Sequence, residues 1–293
     1  MNDVAPPWAL GRIELRDLPR YTPWIARLVD SSDGHHYKKT RDSVLREFES
    51  EKWSALYSRM AADGIGLDAV ERLQFVETRE IAISWGSGLY LADPLDVRKG
   101  LASAVADRVN KVHSSGSLVV ELGAGTGAVI IRMAKEPRFA ESRFLATDLC
   151  ASSIRIIDHL AKSAGVVVET RIVDLADSAW NLPTIEGATV FLSFAGAYLP
   201  DLDADFWERL ASLGPSKLVV AEPIYQFFHV DDMLGLLRKR YCEVNGYSQS
   251  ILPSIEAARR GGILEITEIE ENAIGVNPLC PVSFLALEFQ RPS

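Results

Sequence analysis

The spacing of hydrophobic positions changes character near residue 117. Before it the period is mostly helical. Leu45, Phe48, Trp53, Leu56, Tyr57 and Met60 fall near one helical stripe, and residues 67–83 carry a second apolar-periodic stretch, expected to begin as a helix. Gly86-Ser87-Gly88 breaks the pattern. Asp93-Pro94 has the form of a helix start, with Asp as N-cap and Pro at the first helical position. That helix is expected to run through Leu101, Val105 and Val109, with His113 as a positive charge at its end. Residues 1–20, with Pro6, Pro7 and Pro19, read as an irregular arm.

From residue 117 short apolar runs alternate with helical ones. Strands are expected over 118–122, 144–147, 166–173, 188–194 and 217–221, with helices after the first, second, fourth and fifth, the last over 233–241. Residues 263–274 and 283–289 then form two strands with no room for a helix between them, so they must be antiparallel neighbours. Alternation implies a parallel sheet with helices on both faces, and ligands of such sheets bind beyond the carboxyl ends of the strands. Residues 121–127, Asp148, Asp174, 194–198 and 222–229 therefore gather round one crevice.

Composition narrows the class. The chain has 293 residues, 47% of them hydrophobic, enough for a sizeable core in one large or two modest domains. A net charge of −9 argues against nucleic-acid or anionic-membrane partners, which need a positive field. The one basic run, Tyr37-Lys38-Lys39-Thr40-Arg41, reads as a solvated helix start. Cys150, Cys242 and Cys280 lie far apart, which argues against a disulfide framework and a cysteine-based zinc site, and no H-x-x-x-H spacing suggests a catalytic metal. The N-terminal stretch lacks a basic region followed by an apolar one, and no apolar run is long enough to span a membrane. A soluble, cytoplasmic protein is expected.

The stretch E-L-G-A-G-T-G (Glu121 to Gly127) carries the clearest chemistry. It fits the dinucleotide pattern if Ala128 takes the last place, and equally the loop of proteins that bind S-adenosylmethionine (SAM). Dinucleotide dehydrogenases usually carry the turn near the N-terminus and continue with a second mononucleotide half. Here some 110 residues precede it and a hairpin closes the sheet. Together with Asp148 at the end of the second strand, V-D-L-A-D (Val173 to Asp177) after the third and the terminal hairpin, the turn resembles the class I SAM-dependent methyltransferases over roughly residues 115–290.

The resemblance implies an α/β fold: a Rossmann-like, mostly parallel seven-stranded sheet with a terminal antiparallel hairpin, preceded by an N-terminal helical lobe. Residues 1–114 would form a lid or substrate lobe, with Trp24, Tyr37, Trp53, Tyr57 and Trp85 as aromatic surface or as a homodimer face, and residues 115–293 the SAM-binding catalytic domain. Gly123, Ala124, Gly125 and Gly127 would shape the cofactor turn, Glu121 would meet the amino-acid end of SAM, and Asp148 with Leu149 the ribose. A helix N-cap is the competing role for Asp148. Asp174 and the Leu175 N–H would meet the adenine, with Asp177 as the competing acid. Phe194 would lie beside the transferred methyl. Tyr90 is a further candidate SAM contact, and a core aromatic is its alternative. For a general base His229 is the candidate, with Tyr225 and Glu222 as alternatives in the same loop; His35 and His36 sit in a polar loop that could line a lid.

The implied reaction is methyl transfer from SAM to N or O of a small natural-product or amino-acid-like acceptor. Ser193-Phe194-Ala195-Gly196 stands where adenine-methylating members carry a D/N-P-P-Y-type motif, which counts against nucleic acid. Three C-terminal stretches, E-P-I-Y-Q, Y-C-E-V-N-G-Y and G-V-N-P-L-C-P-V-S, look like a subgroup of bacterial SAM enzymes and attach no substrate. They keep open transfer or cyclisation of the aminocarboxypropyl arm with release of methylthioadenosine. A non-catalytic SAM-binding subunit and a nicotinamide enzyme are the remaining alternatives.

Overall fold

A computed structural model describes residues 4–29, 39–74, 80–199 and 202–290. His35, His36, Tyr37 and Lys38 lie outside the described residues. The chain begins with β1 (Gly11–Ile13), the short helices α1 (Leu18–Tyr21), α2 (Ala26–Val29) and α3 (Arg41–Leu45), a π-helical stretch (Arg46–Trp53), and helices α4 (Ser54–Asp63) and α5 (Leu67–Leu73). A hairpin of β2 (Ile81–Trp85) and β3 (Gly88–Ala92) follows, then the long α6 (Pro94–Val112). The alternating part comprises β4 (Leu118–Leu122), α7 (Ala128–Ala134), β5 (Arg143–Asp148), α8 (Ala151–Ala164), β6 (Glu169–Ile172), β7 (Thr189–Ser193), α9 (Ala204–Ser212), β8 (Lys217–Glu222), α10 (Met233–Val244), α11 (Ile251–Arg260), β9 (Leu264–Gly275) and β10 (Val282–Phe289).

The described strands form one mixed ten-stranded sheet in the order β1-β3-β2-β9-β10-β8-β7-β4-β5-β6. The block β8-β7-β4-β5-β6 is parallel, and β10 runs antiparallel to both β8 and β9, as the terminal hairpin predicts. The expected count of seven strands is corrected to ten. The N-terminal segment is not wholly helical: β2, β3 and β1 extend the sheet beyond β9 through Ser84 opposite Gly275 and Trp85 opposite Ile274. The physical reason lies in Ile81, Ile83 and Trp85, which alternate at period two up to a tight Gly86-Ser87 turn with Gly86 at φ +55°. Helix from the 67–83 stretch extends only to Leu73. Helix α11 was not expected at all.

Period-two alternation builds two cores. Val119, Phe144, Ala146 and Val219 face α6, α7 and α8, while Val120, Leu145, Val190 and Leu218 face α9 and α11. Helix α6 starts as its residues dictate: Asp93 accepts the Leu95 N–H at 2.8 Å, with Pro94 in the first turn. His113 is not a terminal charge. It hydrogen-bonds Ser142 at 2.8 Å, and burial lowers its pKa toward the neutral imidazole. No described helix is long and apolar enough to cross a membrane.

Candidate functional site

A cleft of about 780 Å³ opens at the carboxyl ends of β4, β5 and β7, within the size range of small-molecule sites. Its floor is the turn between β4 and α7. Each glycine there has a positive φ, but a side chain would meet different things. A Cβ on Gly123 would stand 2.5 Å from the Ala195 Cβ, and one on Gly127 2.8 Å from Ile157 Cγ1, so both serve packing. A Cβ on Gly125 would meet only Trp53, at 3.5 Å. Gly125 is therefore the position where the bare backbone borders the cleft.

Asp148 ties this turn down. Its two oxygens accept the Gly125 N–H and the Cys150 N–H, each at 2.8 Å, and Ser153 donates to the Gly125 carbonyl. The carboxylate still borders the cleft and has lone pairs to spare, so its loop-bonding role leaves it able to accept from a ligand. Burial raises its pKa, against the pull of the Cys150 and Gly125 amides.

Glu121, at the end of β4, is only 2% exposed and borders the same cleft. Burial, with a smaller contribution from the Asp148 charge, pushes it up to about 8, and its Oε2 has no hydrogen-bond partner. A buried carboxyl oxygen without a partner is a costly group that a cationic ligand would satisfy.

Ala124, Leu149, Leu175 and Phe194 also line the cleft. Phe194 is a non-glycine residue at φ +60°, a strained conformation at the mouth of β7. Asp174 lines the cleft and pairs with Arg41 of α3, while its Oδ1 accepts the Ala176 N–H at 3.0 Å. Its rival Asp177 does not line the cleft and accepts the Ala179 N–H at 3.2 Å in a local turn.

The other candidates stand elsewhere. Tyr90 is 3% exposed on β3, packed in the core and away from the cleft, because its position on the strand points inward. His229 has a side chain 62% exposed and faces Glu271 at 3.2 Å, since the loop after β8 turns it outward. Tyr225 donates its hydroxyl to Glu243 at 2.8 Å, and burial with this bond pushes it up to about 12. Glu222 is fully buried and accepts the amides of Ala195 at 2.7 Å, Gly196 at 2.8 Å and Ala197 at 3.1 Å. None of these four lines the cleft. Glu222 is a positioning residue that shapes the turn carrying Phe194 and Tyr198.

Sequence reasoning missed Arg98, Tyr247 and Asn277, which line the cleft, while Tyr198 lines it within the 194–198 segment expected there. Arg98 comes from the first turns of α6, where its spacing reads as an ordinary helix surface. Tyr247 and Asn277 belong to C-terminal stretches noted above without a role.

No family model matches the sequence, and no curated protein matches it. Solved structures match its fold. Magnesium protoporphyrin IX methyltransferase from Synechocystis with bound S-adenosylhomocysteine (SAH) is 13% identical, with a TM-score of 0.54 over 85% of this chain and 100% of that one. The [4+2]-cyclase SpnF is 15% identical, with a TM-score of 0.58 over 87% and 98%. Geranyl diphosphate methyltransferase, in complex with its diphosphate ligand and sinefungin, is 12% identical, with a TM-score of 0.51 over 67% and 79%. The chain has the fold of the class I SAM-dependent methyltransferases.

Proposed function

We propose that the protein binds SAM in this cleft and transfers its methyl group to N or O of a small molecule. The observation that carries the reading is Glu121: a buried carboxyl with an unpartnered oxygen, beside a turn whose middle glycine is open to the ligand. SAM supplies a methyl carbon already activated by the sulfonium. The protein's part is to align the acceptor and exclude water.

In this reading Glu121 takes the ammonium of the amino-acid end and Arg98, a cation lining the same cleft, its carboxylate. Asp148 accepts from the ribose, Asp174 and the Leu175 N–H meet the adenine, and Phe194 borders the methyl. The N-terminal segment helps to cover the cleft, since Trp24, Phe48 and Trp53 contribute to its wall. Fold alone does not fix the reaction, as a cyclase on the same fold illustrates.

Two substitutions test the assignment. Asp148→Ala is expected to weaken SAM binding by roughly 1.5–3 kcal/mol, the range for a hydrogen bond to a charged group. Gly125→Val is expected to abolish binding, because its side chain enters the ligand's space and because a β-branched residue at φ +57° strains the turn. SAM affinities equal to the wild type in both variants, measured by calorimetry, would show that the ligand lies elsewhere.

A further inference from the structure

The C-terminal stretches without a role in cofactor binding meet at one end of the cleft. Tyr241 and Tyr247 come from α10 and the turn after it, Asn277 and Cys280 from the loop between β9 and β10. Tyr198 faces them from the turn after β7, and Trp24 from the N-terminal segment. The Tyr198 and Tyr247 rings meet edge to face at 5.3 Å, and Tyr241 and Tyr247 at 6.1 Å. The first stretch acts from behind: Glu222 holds the amides of Ala195, Gly196 and Ala197, which fixes Tyr198.

The polar groups at this end are donors. The Tyr247 and Tyr198 hydroxyls are hydrogen-bonded, and burial pushes both phenols above their ordinary range, so both stay protonated. Asn277 accepts the Leu279 N–H on Oδ1 at 2.9 Å, which leaves its NH2 group to offer. Beneath the loop, buried Arg238 donates from Nε to the Pro278 carbonyl at 3.1 Å and adds positive charge.

Among the described residues no carboxylate answers these donors. The cleft's acids, Glu121, Asp148 and Asp174, belong to the glycine-turn side. Glu222 is engaged by three amides, Glu47 by Lys39 and Lys52 at 2.6 Å, and Glu71 by Arg132. Asp232 caps α10 through the Gly235 N–H at 2.7 Å.

We infer that this end is the acceptor site and that it takes a flat, apolar carboxylic acid, its carboxylate against the Tyr198 hydroxyl and the Asn277 amide and its body against the aromatic rings. The inference rests on SAM occupying the glycine-turn end. A carboxylate is ionised at neutral pH, so it needs no general base, and no described histidine lines the cleft. The carboxylate oxygen attacks the methyl carbon in line with the C–S bond. The C–O bond forms as the C–S bond breaks, the electron pair stays on sulfur, and no proton moves. The products are a methyl ester and a neutral thioether. A phenol would need a base, and an ammonium would meet Arg238 without a free carboxylate.

The test is a calorimetric titration of the SAH-saturated protein with 2-naphthoate, 2-naphthol and 2-naphthylmethylamine. Naphthoate is expected to bind at least tenfold tighter than the other two. Asn277→Asp keeps the oxygen that accepts the Leu279 N–H but replaces the donor by an anionic oxygen; it should weaken naphthoate at least tenfold and leave SAH affinity unchanged. Tyr198→Phe should weaken naphthoate about tenfold, again sparing SAH. The inference is overturned by equal or tighter binding of the amine or naphthol, by no naphthoate binding, or by an Asn277→Asp variant that binds naphthoate like the wild type. If SAH itself fails to bind, the cofactor reading falls and takes this inference with it.

Discussion

Glu121→Gln is expected to lose at least a hundredfold in SAM affinity while making the unliganded protein more stable. The substitution is isosteric, so the floor of the cleft keeps its shape. What disappears is the negative charge that meets the SAM ammonium, and the loss of about 3 kcal/mol sits at the upper end for a hydrogen bond to a charged group. Stability moves the other way because burial holds Glu121 up at about 8. Between the ordinary carboxyl value of 4.5 and about 8 the folded chain keeps a proton that the unfolded chain releases. The folded state binds more protons there, so stability falls as pH rises through that window. Denaturant unfolding at pH 5 and pH 8.5 should show this slope in the wild type and a clearly smaller one in the variant. Binding of SAM pulls the carboxyl toward its ionised form, so a proton should be released at pH 7, visible as a binding heat that depends on the buffer. Undiminished affinity in Glu121→Gln would remove this residue from the site.

Glu222→Ala is expected to cost about 3–5 kcal/mol of stability, the largest effect of any single substitution considered for this cleft. The buried amides of Gly196 and Ala197 and the part-buried amide of Ala195 lose their acceptor together, and each unsatisfied buried group costs roughly 1–3 kcal/mol before local relaxation. Glu222→Gln should cost less: its oxygen can still accept from Ala195 and Gly196, while its NH2 group faces the Ala197 N–H. The pair of variants separates positioning from catalysis. A catalytic base at this position would lose turnover in Glu222→Gln with an unchanged unfolding midpoint. The structure instead calls for a lowered midpoint, and for any loss of SAM affinity or turnover to follow the displacement of Phe194 and Tyr198.

Legibility in the sequence followed the local physics. Strands β4, β5, β7 and β8 announced themselves because both faces are buried, so each is a continuous apolar run. The glycine turn was legible because positive φ at Gly123, Gly125 and Gly127 restricts residue type, whereas the roles of Asp148 and Asp174 entered through the family resemblance, and both border the cleft. The β2–β3 hairpin was obscured because its apolar residues follow a helical stretch without a change in composition, and only the Gly86-Ser87 turn marks it. The general base failed for a different reason. Glu222 ends β8 and His229 lies in the loop after it, yet one side chain turns into the core and the other into solvent. Proximity along the chain does not say which way a loop residue faces. Tyr198, Tyr247 and Asn277 lie far apart in sequence, and only the packing of α10 and the β9–β10 loop against the β7 turn brings them to one wall.

The central claim is that SAM occupies the cleft beside Gly125 and Glu121. The most direct measurement is a calorimetric titration of the purified protein with SAM, SAH and NAD, followed by mass spectrometry of the SAM sample after long incubation. SAM and SAH are expected to bind, NAD is not, and SAM is expected to stay intact until an acceptor is supplied. Methylthioadenosine in the sample would keep the cofactor and replace methyl transfer by chemistry on the aminocarboxypropyl arm. Binding of NAD without SAM or SAH would contradict the account.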